Sequence, residues 1–156
     1  MTARYKIIED DLSGADIVAL LELHLAEMHA WSPPDSVHAL PVERLKGRDV
    51  TFWSAWEDDR LAGCGALKAL DARQGEIKSM RVHPDYRGQG AGRAILLHLL
   101  AEARERAYTR LSLETGATEE FAAAHRLYLG HGFVDCGPFA DYIEDPFSRF
   151  MTKDLG

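Results

Sequence analysis

The sequence predicts an α/β domain built on a mixed sheet, and three observations predict it. Its 156 residues fit one domain of ordinary size, long enough to bury a core. Strand-like runs come first as a meander and then alternate with helical runs, an order that suits a mixed sheet flanked by helices. A glycine-rich segment at residues 83–92, "HPDYRGQGAG", joins a strand-like run to the clearest helical one.

Residues 5–10, "YKIIED", read as a short first strand. Asp11 or Ser13 can cap the helix that follows. In that helix Ile17, Leu21, Leu25 and Met28 recur at helical spacing, and it ends before "SPPD". Residues 32–48 are mixed, with a short helix expected around residues 42–46. "VTFWSAW" and "LAGCGALKAL" are β-like runs joined by the polar "EDDR". In "EIKSMRV", Ile77, Ser79 and Arg81 alternate with Lys78, Met80 and Val82 and neither face is cleanly polar, the pattern of a central strand. "GRAILLHLLAEARERA" carries an apolar stripe through Leu96, Leu99 or Leu100, Ala103 and Ala107, with Arg104, Glu105 and Arg106 opposite. "RLSLE" returns as a strand. "TEEFAAAHRLYLGHGF" is a second helix closed by Gly130 or Gly132, and "SRFMTKDL" is a last strand. With no repeat, linker or low-complexity stretch, residues 1–156 are expected to form a single domain.

Composition narrows the function classes. At 46% hydrophobic and 28% charged, the chain has the make-up of a soluble globular protein. "MTARYKIIEDDLSG" has no uninterrupted apolar core, which argues against a signal peptide, and no apolar run reaches the roughly 20 residues of a membrane span. The cysteines, Cys64 and Cys136, match no metal or redox spacing and read as free thiols of the cytoplasm. The net charge of −7 argues against nucleic acid or an anionic membrane as partner and mildly favours a cationic small molecule. No two histidines stand at helical i, i+4 spacing, so no metal is expected.

The glycines of residues 87–93 are the most informative feature. Amides at a helix start lack intrahelical partners, and the helix dipole adds positive charge there. Together these bind phosphate. Glycine lets a ligand approach the backbone and permits positive φ, while Arg87 and Arg93 bracket the turn and can add charge-assisted bonds. The segment is not a P-loop, because no lysine followed by serine or threonine occurs. Nor does it complete a dinucleotide fingerprint: counting from Gly88, the third glycine position is Arg93, and five residues separate Val82 from Gly88. Glu114 does fall about where a ribose-binding acid would sit, which keeps a nucleotide-binding oxidoreductase as a minor alternative.

"VHPDYRGQGAGRAILLHLLAEAR" resembles the acetyl-CoA signature of the GCN5-related N-acetyltransferase (GNAT) family, R/Q-x-x-G-x-G/A, here Arg87, Gly90 and Gly92. "EIKSMRV" resembles the family's fourth strand, and "RLYLGHGF" its late LYxxxGF segment. The resemblance is specific over residues 62–133 and weaker over the rest. Within the family, "LETG" with the later "CGPFADYIEDP" looks most like the YsnE-type branch.

The resemblance implies a GNAT fold, with a mostly antiparallel mixed sheet of six to seven strands flanked by helices. It implies transfer of an acetyl group from acetyl-CoA, as co-substrate, to an amine of a small molecule, amino acid or peptide, by direct attack in a ternary complex. Arg87, Gly88, Gln89, Gly90, Ala91, Gly92 and Arg93 would hold the pyrophosphate. Met80, Arg81 and Val82 would run beside the pantetheine arm. Glu76 matches the family's occasional general-base glutamate, a task that ordered water can also perform. Tyr128 matches the tyrosine that protonates the leaving thiolate. Phe121 stands where many relatives carry an asparagine seven residues before that tyrosine, so that cofactor contact is lost or otherwise supplied. Acceptor choice would lie with Trp31, Glu114 and Asp141, among others. Relatives are often homodimers. The alternative of another class is a domain that holds CoA without turnover, as a sensor.

Overall fold

The computed structural model describes residues 4–38 and 42–156. In chain order the elements are β1 (Lys6–Glu9), α1 (Ala15–Trp31), α2 (Val42–Leu45), β2 (Val50–Glu57), β3 (Arg60–Ala69) and β4 (Gln74–Val82). They continue with α3 (Ala91–Glu105), β5 (Arg110–Gly116), α4 (Ala122–Gly130), β6 (Val134–Asp135) and β7 (Ser148–Asp154). The strands form one seven-stranded sheet in the order β1-β2-β3-β4-β5-β7-β6. Only β4 and β5 pair in parallel. Every other pair is antiparallel, so the mixed, mostly antiparallel sheet expected from the sequence is what forms. Among the described residues no helix is long and apolar enough to cross a membrane.

Two apolar clusters sandwich the sheet. On one face Ile95, Leu96, Leu99 and Leu100 of α3 pack on Leu67, Ile77, Leu111, Leu113 and Met151. On the other, Ile17, Leu20 and Leu21 of α1 pack on Phe52, Leu61, Cys64 and Ala66. The helical stripes read from the sequence are these buried faces.

Local departures have local causes. Gly14, rather than Asp11 or Ser13, stands at the N-cap of α1 and provides no side-chain bond. Asp11 instead accepts hydrogen bonds from the Ser13 amide and hydroxyl, an Asx turn that competes with capping. The expected second helix begins as a short 3-10 turn, Glu119–Phe121, before α4. It ends where Gly132, at φ 89°, lets the Phe133 amide reach the Tyr128 carbonyl. The two-residue strand β6 escaped the sequence reading because so short a segment has no period to detect.

Two features of the central strands position the site. Cys64 pairs with Arg81 and Ala66 with Lys78, so Gly65 faces both Ser79 and Met80; β4 bulges there, with Ser79 at φ 52°. The parallel pairing of β4 with β5 then stops at Ile77–Leu113, although β4 runs on to Val82 and β5 to Gly116. Each strand keeps its outer neighbour, β3 or β7. A wedge therefore opens in the middle of the sheet.

The close approach of α3 to this region needs small residues on β3. A Cβ on Gly63 would lie 2.6 Å from the Arg81 carbonyl oxygen and 2.8 Å from Ile95 Cδ1. Gly63→Ala is expected to lower unfolding free energy by about 1–3 kcal/mol through overpacking. Gly137→Ala, where a Cβ meets nothing within 4 Å, should be near neutral. Urea denaturation of the two variants reads the difference.

Candidate active site

The wedge is the floor of a cavity of about 680 Å³. Its walls come from the end of α1, both strands bordering the wedge, the glycine loop and α4. Backbone amides and carbonyls on the facing edges of β4 and β5 have no partner across the gap, so an extended ligand can bond them as a strand would.

At the mouth of the cavity the glycine loop delivers the chain into α3. Gly90 is the N-cap at φ 85° and Gly88 has φ 72°. A Cβ on either would meet nothing within 4 Å. Packing therefore does not require these glycines; the left-handed backbone does, and the space they leave belongs to the cavity. The loop is tethered by the Tyr5 hydroxyl, which donates to the Gln89 carbonyl at 2.8 Å, and by Arg4, which donates to the Gln89 side chain at 2.5 Å. Arg87 and Arg93 line the cavity with exposed side chains and, among the described residues, no ion-pair partner. Free amides, a helix start and two guanidinium groups unpaired among the described residues are the groups that could hold a phosphate at this end. Of the residues expected to bind the cofactor, Met80, Arg81, Val82, Arg87, Gly88, Gly90, Ala91, Gly92 and Arg93 line the cavity; Gln89 does not. The Arg81 guanidinium is itself held by Glu27 through two bonds, 2.6 and 3.2 Å.

Tyr128 of α4 lines the cavity beside the wedge and packs edge-on against Phe133. Its hydroxyl has no hydrogen-bond partner among the described residues, and burial pushes its pKa well above that of an ordinary phenol, so it keeps its proton. Phe121 contributes no polar group. Its ring stacks edge-on with Trp31 at 5.6 Å and fills the space above Gly116, where a Cβ would collide with it.

The remaining polar groups meet on the other face of the sheet. Glu76 pairs in register with Ser112, and Lys78 and Glu114 follow two residues on, so all three side chains share a face. Glu76 is only 2% exposed and is not among the residues lining the cavity. Its Oε2 accepts the Tyr142 hydroxyl at 2.5 Å and lies 3.4 Å from Lys78 Nζ. Lys78 Nζ also donates to the Tyr142 hydroxyl at 2.8 Å and to the His38 carbonyl at 3.2 Å. Glu114 does line the cavity, and burial raises its pKa to about 7 against the opposing pull of Lys78. Trp31 lines the cavity, whereas Asp141 is exposed and lies off it. Its neighbour Tyr142 is the residue that turns inward, stacked near Phe150 and His38. Lys78 was missed by sequence reasoning. The Glu-x-Lys spacing in "EIKSMRV", two like-facing charges on a central strand, was the available signal.

Comparisons with known proteins agree with the fold. The family model for the Acetyltransferase (GNAT) family matches residues 17–133. The chain is 55% identical over 146 residues to the uncharacterised N-acetyltransferase YsnE of Bacillus subtilis (strain 168), covering 94% of this chain and 97% of that one. It is 51% identical over 151 residues to the uncharacterised N-acetyltransferase YedL of Escherichia coli (strain K12), covering 97% and 95%. A Klebsiella pneumoniae crystal structure, provisionally named an acyl-CoA N-acyltransferase, superposes with TM-score 0.76 at 32% identity, over 97% and 98% of the two chains. A GNAT family acetyltransferase from Elizabethkingia anophelis, solved with acetyl-CoA bound, shares the fold at TM-score 0.70 and 18% identity, over 98% and 99%.

The Glu76–Tyr142–Lys78 cluster fastens the loop before β7 to the sheet. Tyr142→Phe leaves a buried carboxylate oxygen without its hydroxyl donor, a loss expected to cost about 1–3 kcal/mol. A lowered urea midpoint with an unchanged m-value is the signature.

Proposed function

The chain belongs to the acetyltransferase (GNAT) family, and on that premise we infer that it transfers the acetyl group of acetyl-CoA to an amine by direct attack in a ternary complex. The observation that carries this reading is the continuity of one cavity. It runs from the glycine loop, along the unpaired edges of β4 and β5, to Tyr128. Those three stations suit a pyrophosphate, an extended pantetheine amide chain and a sulfur in that order. On this reading the whole of residues 1–156 acts as one acetyltransferase domain.

The amides of residues 88–93, with Arg87 and Arg93, would take the pyrophosphate. The free edge of residues 80–82 would pair with the pantetheine amides. An amide on that edge would polarise the thioester carbonyl as charge develops on its oxygen. When the amine nitrogen bonds to the carbonyl carbon and the carbon–sulfur bond breaks, the electron pair goes to sulfur. Tyr128, still protonated, would supply its proton to that sulfur, so the product leaves as a thiol.

Free-thiol release from acetyl-CoA across a panel of amines and peptides tests the reading. Acceptor-dependent release supports it. Tight CoA binding with silence across the panel would favour a sensor that holds CoA without turnover. Tyr128→Phe is expected to lower kcat about 10²-fold while the Kd for acetyl-CoA stays within about twofold. Gly90→Glu should abolish acetyl-CoA binding, because a charged side chain at a φ of 85° would project into the phosphate cradle. Calorimetry with CoA reads this directly; normal binding would show that the loop serves another purpose.

A further inference from the structure

Resting on the transferase reading above, we propose that Glu114 receives the acceptor's ammonium group and takes its proton. We assign to the acceptor a primary amine carried on an apolar body with no carboxylate beside the nitrogen. The polar face of β4 and β5 holds two carboxylates, and only one is available. Glu76 is bonded by Tyr142, lies against Lys78, and does not reach the cavity. Glu114 reaches it and has no ion-pair partner among the described residues; the Ser148 hydroxyl beside it is buried and bonds no other group there.

The groups facing Glu114 are Lys78 and Glu76 from β4, and Tyr142 and Asp145 from the loop before β7. Burial, with Glu76 and Asp145 adding to it, outweighs the Ser148 hydroxyl and Lys78 and brings its pKa to about 7, the range in which a base works best near neutral pH. An alkylammonium docked there hands one proton to the carboxylate. The freed lone pair attacks the thioester, the carbon–nitrogen bond forms and the carbon–sulfur bond breaks. Of the two protons the ammonium loses overall, one reaches solvent through Glu114. The other balances the proton that Tyr128 gives to sulfur.

Among the described residues, the acceptor end of the cavity has no cation without a protein partner. Lys78 is ion-paired with Glu76 at 3.4 Å and donates hydrogen bonds to the Tyr142 hydroxyl and the His38 carbonyl. Arg81 is taken by Glu27 on two sides. His24 is buried with its pKa lowered to about 4, and burial lowers that of His38 as well, so both rings are neutral at pH 7. The walls between are Met28, Trp31, Val37 and Phe121. An α-amino acid would bring a carboxylate into this end unpaired, at the full cost of its desolvation.

The test is calorimetry on the CoA-loaded protein with 2-phenylethylamine and with phenylalanine, followed by the pH profile of kcat/KM with the amine. The amine should bind and phenylalanine should not. Glu114→Gln should weaken amine binding at least tenfold and lower kcat about 10²-fold. It should also erase the fall in kcat/KM as pH drops through about 7, and Glu114→Asp should restore part of that limb. Glu76→Gln, in contrast, should keep it. Preferential binding of phenylalanine, or a limb that survives Glu114→Gln, overturns the proposal. Failure of the protein to load CoA overturns the transferase reading beneath it, whereas amine binding at Glu114 without transfer sinks that reading and leaves the amine site standing.

Discussion

The parting of β4 from β5 is the constraint from which the rest follows. Hydrogen bonding between them ends at Ile77–Leu113, while the outer ladders with β3 and β7 continue. A sheet can split in this way only where something holds each half in place. Here β3 and α3 hold one half, and β7 with the buried Ser112–Thr152 hydrogen bond holds the other. The bulge at Ser79 turns the β4 edge further from its former partner. What would be an unsatisfied central seam becomes a row of backbone groups facing a cavity.

Charge divides that cavity by function. Unpaired guanidinium groups stand only at its glycine end, where amides and a helix start already favour an anion. At the far end Lys78 and Arg81 are each ion-paired with a glutamate, while Glu114 has no ion pair among the described residues. A molecule with an anionic tail and a neutral head is thereby oriented before any close contact forms. The net charge of −7 concealed this local division, because a sum over the surface says little about one cleft.

Much of this was legible in the sequence. The glycine loop was legible because a turn at positive φ favours glycine, and Gly88 and Gly90 do have positive φ. The long helices and strands were legible through their period. The carboxylate cluster was not, because its members, Glu76, Lys78, Glu114 and Tyr142, come from three segments that meet only through the parallel register and the returning loop. In the loop before β7 the expectation rested on Asp141. Asp141 lies outside while Tyr142 carries the contact. Alternation along a strand tells which residues share a face, but not which of two carboxylates is closed off by a side chain sixty-six residues away.

The tether on the glycine loop has a consequence for the thermodynamics of binding. A loop with so many glycines has the largest conformational entropy to lose on becoming ordered. Tyr5 and Arg4, next to the first edge strand, fix Gln89 by its carbonyl and its side chain. Tyr5 is in turn seated in a small cluster with Ala62, Tyr86 and Ala91. That entropy is therefore lost when the chain folds, not when a phosphate arrives. The opposite edge of the sheet from β6 thus preorders the glycine loop, and an anion bound there would owe part of its affinity to residues that do not touch it.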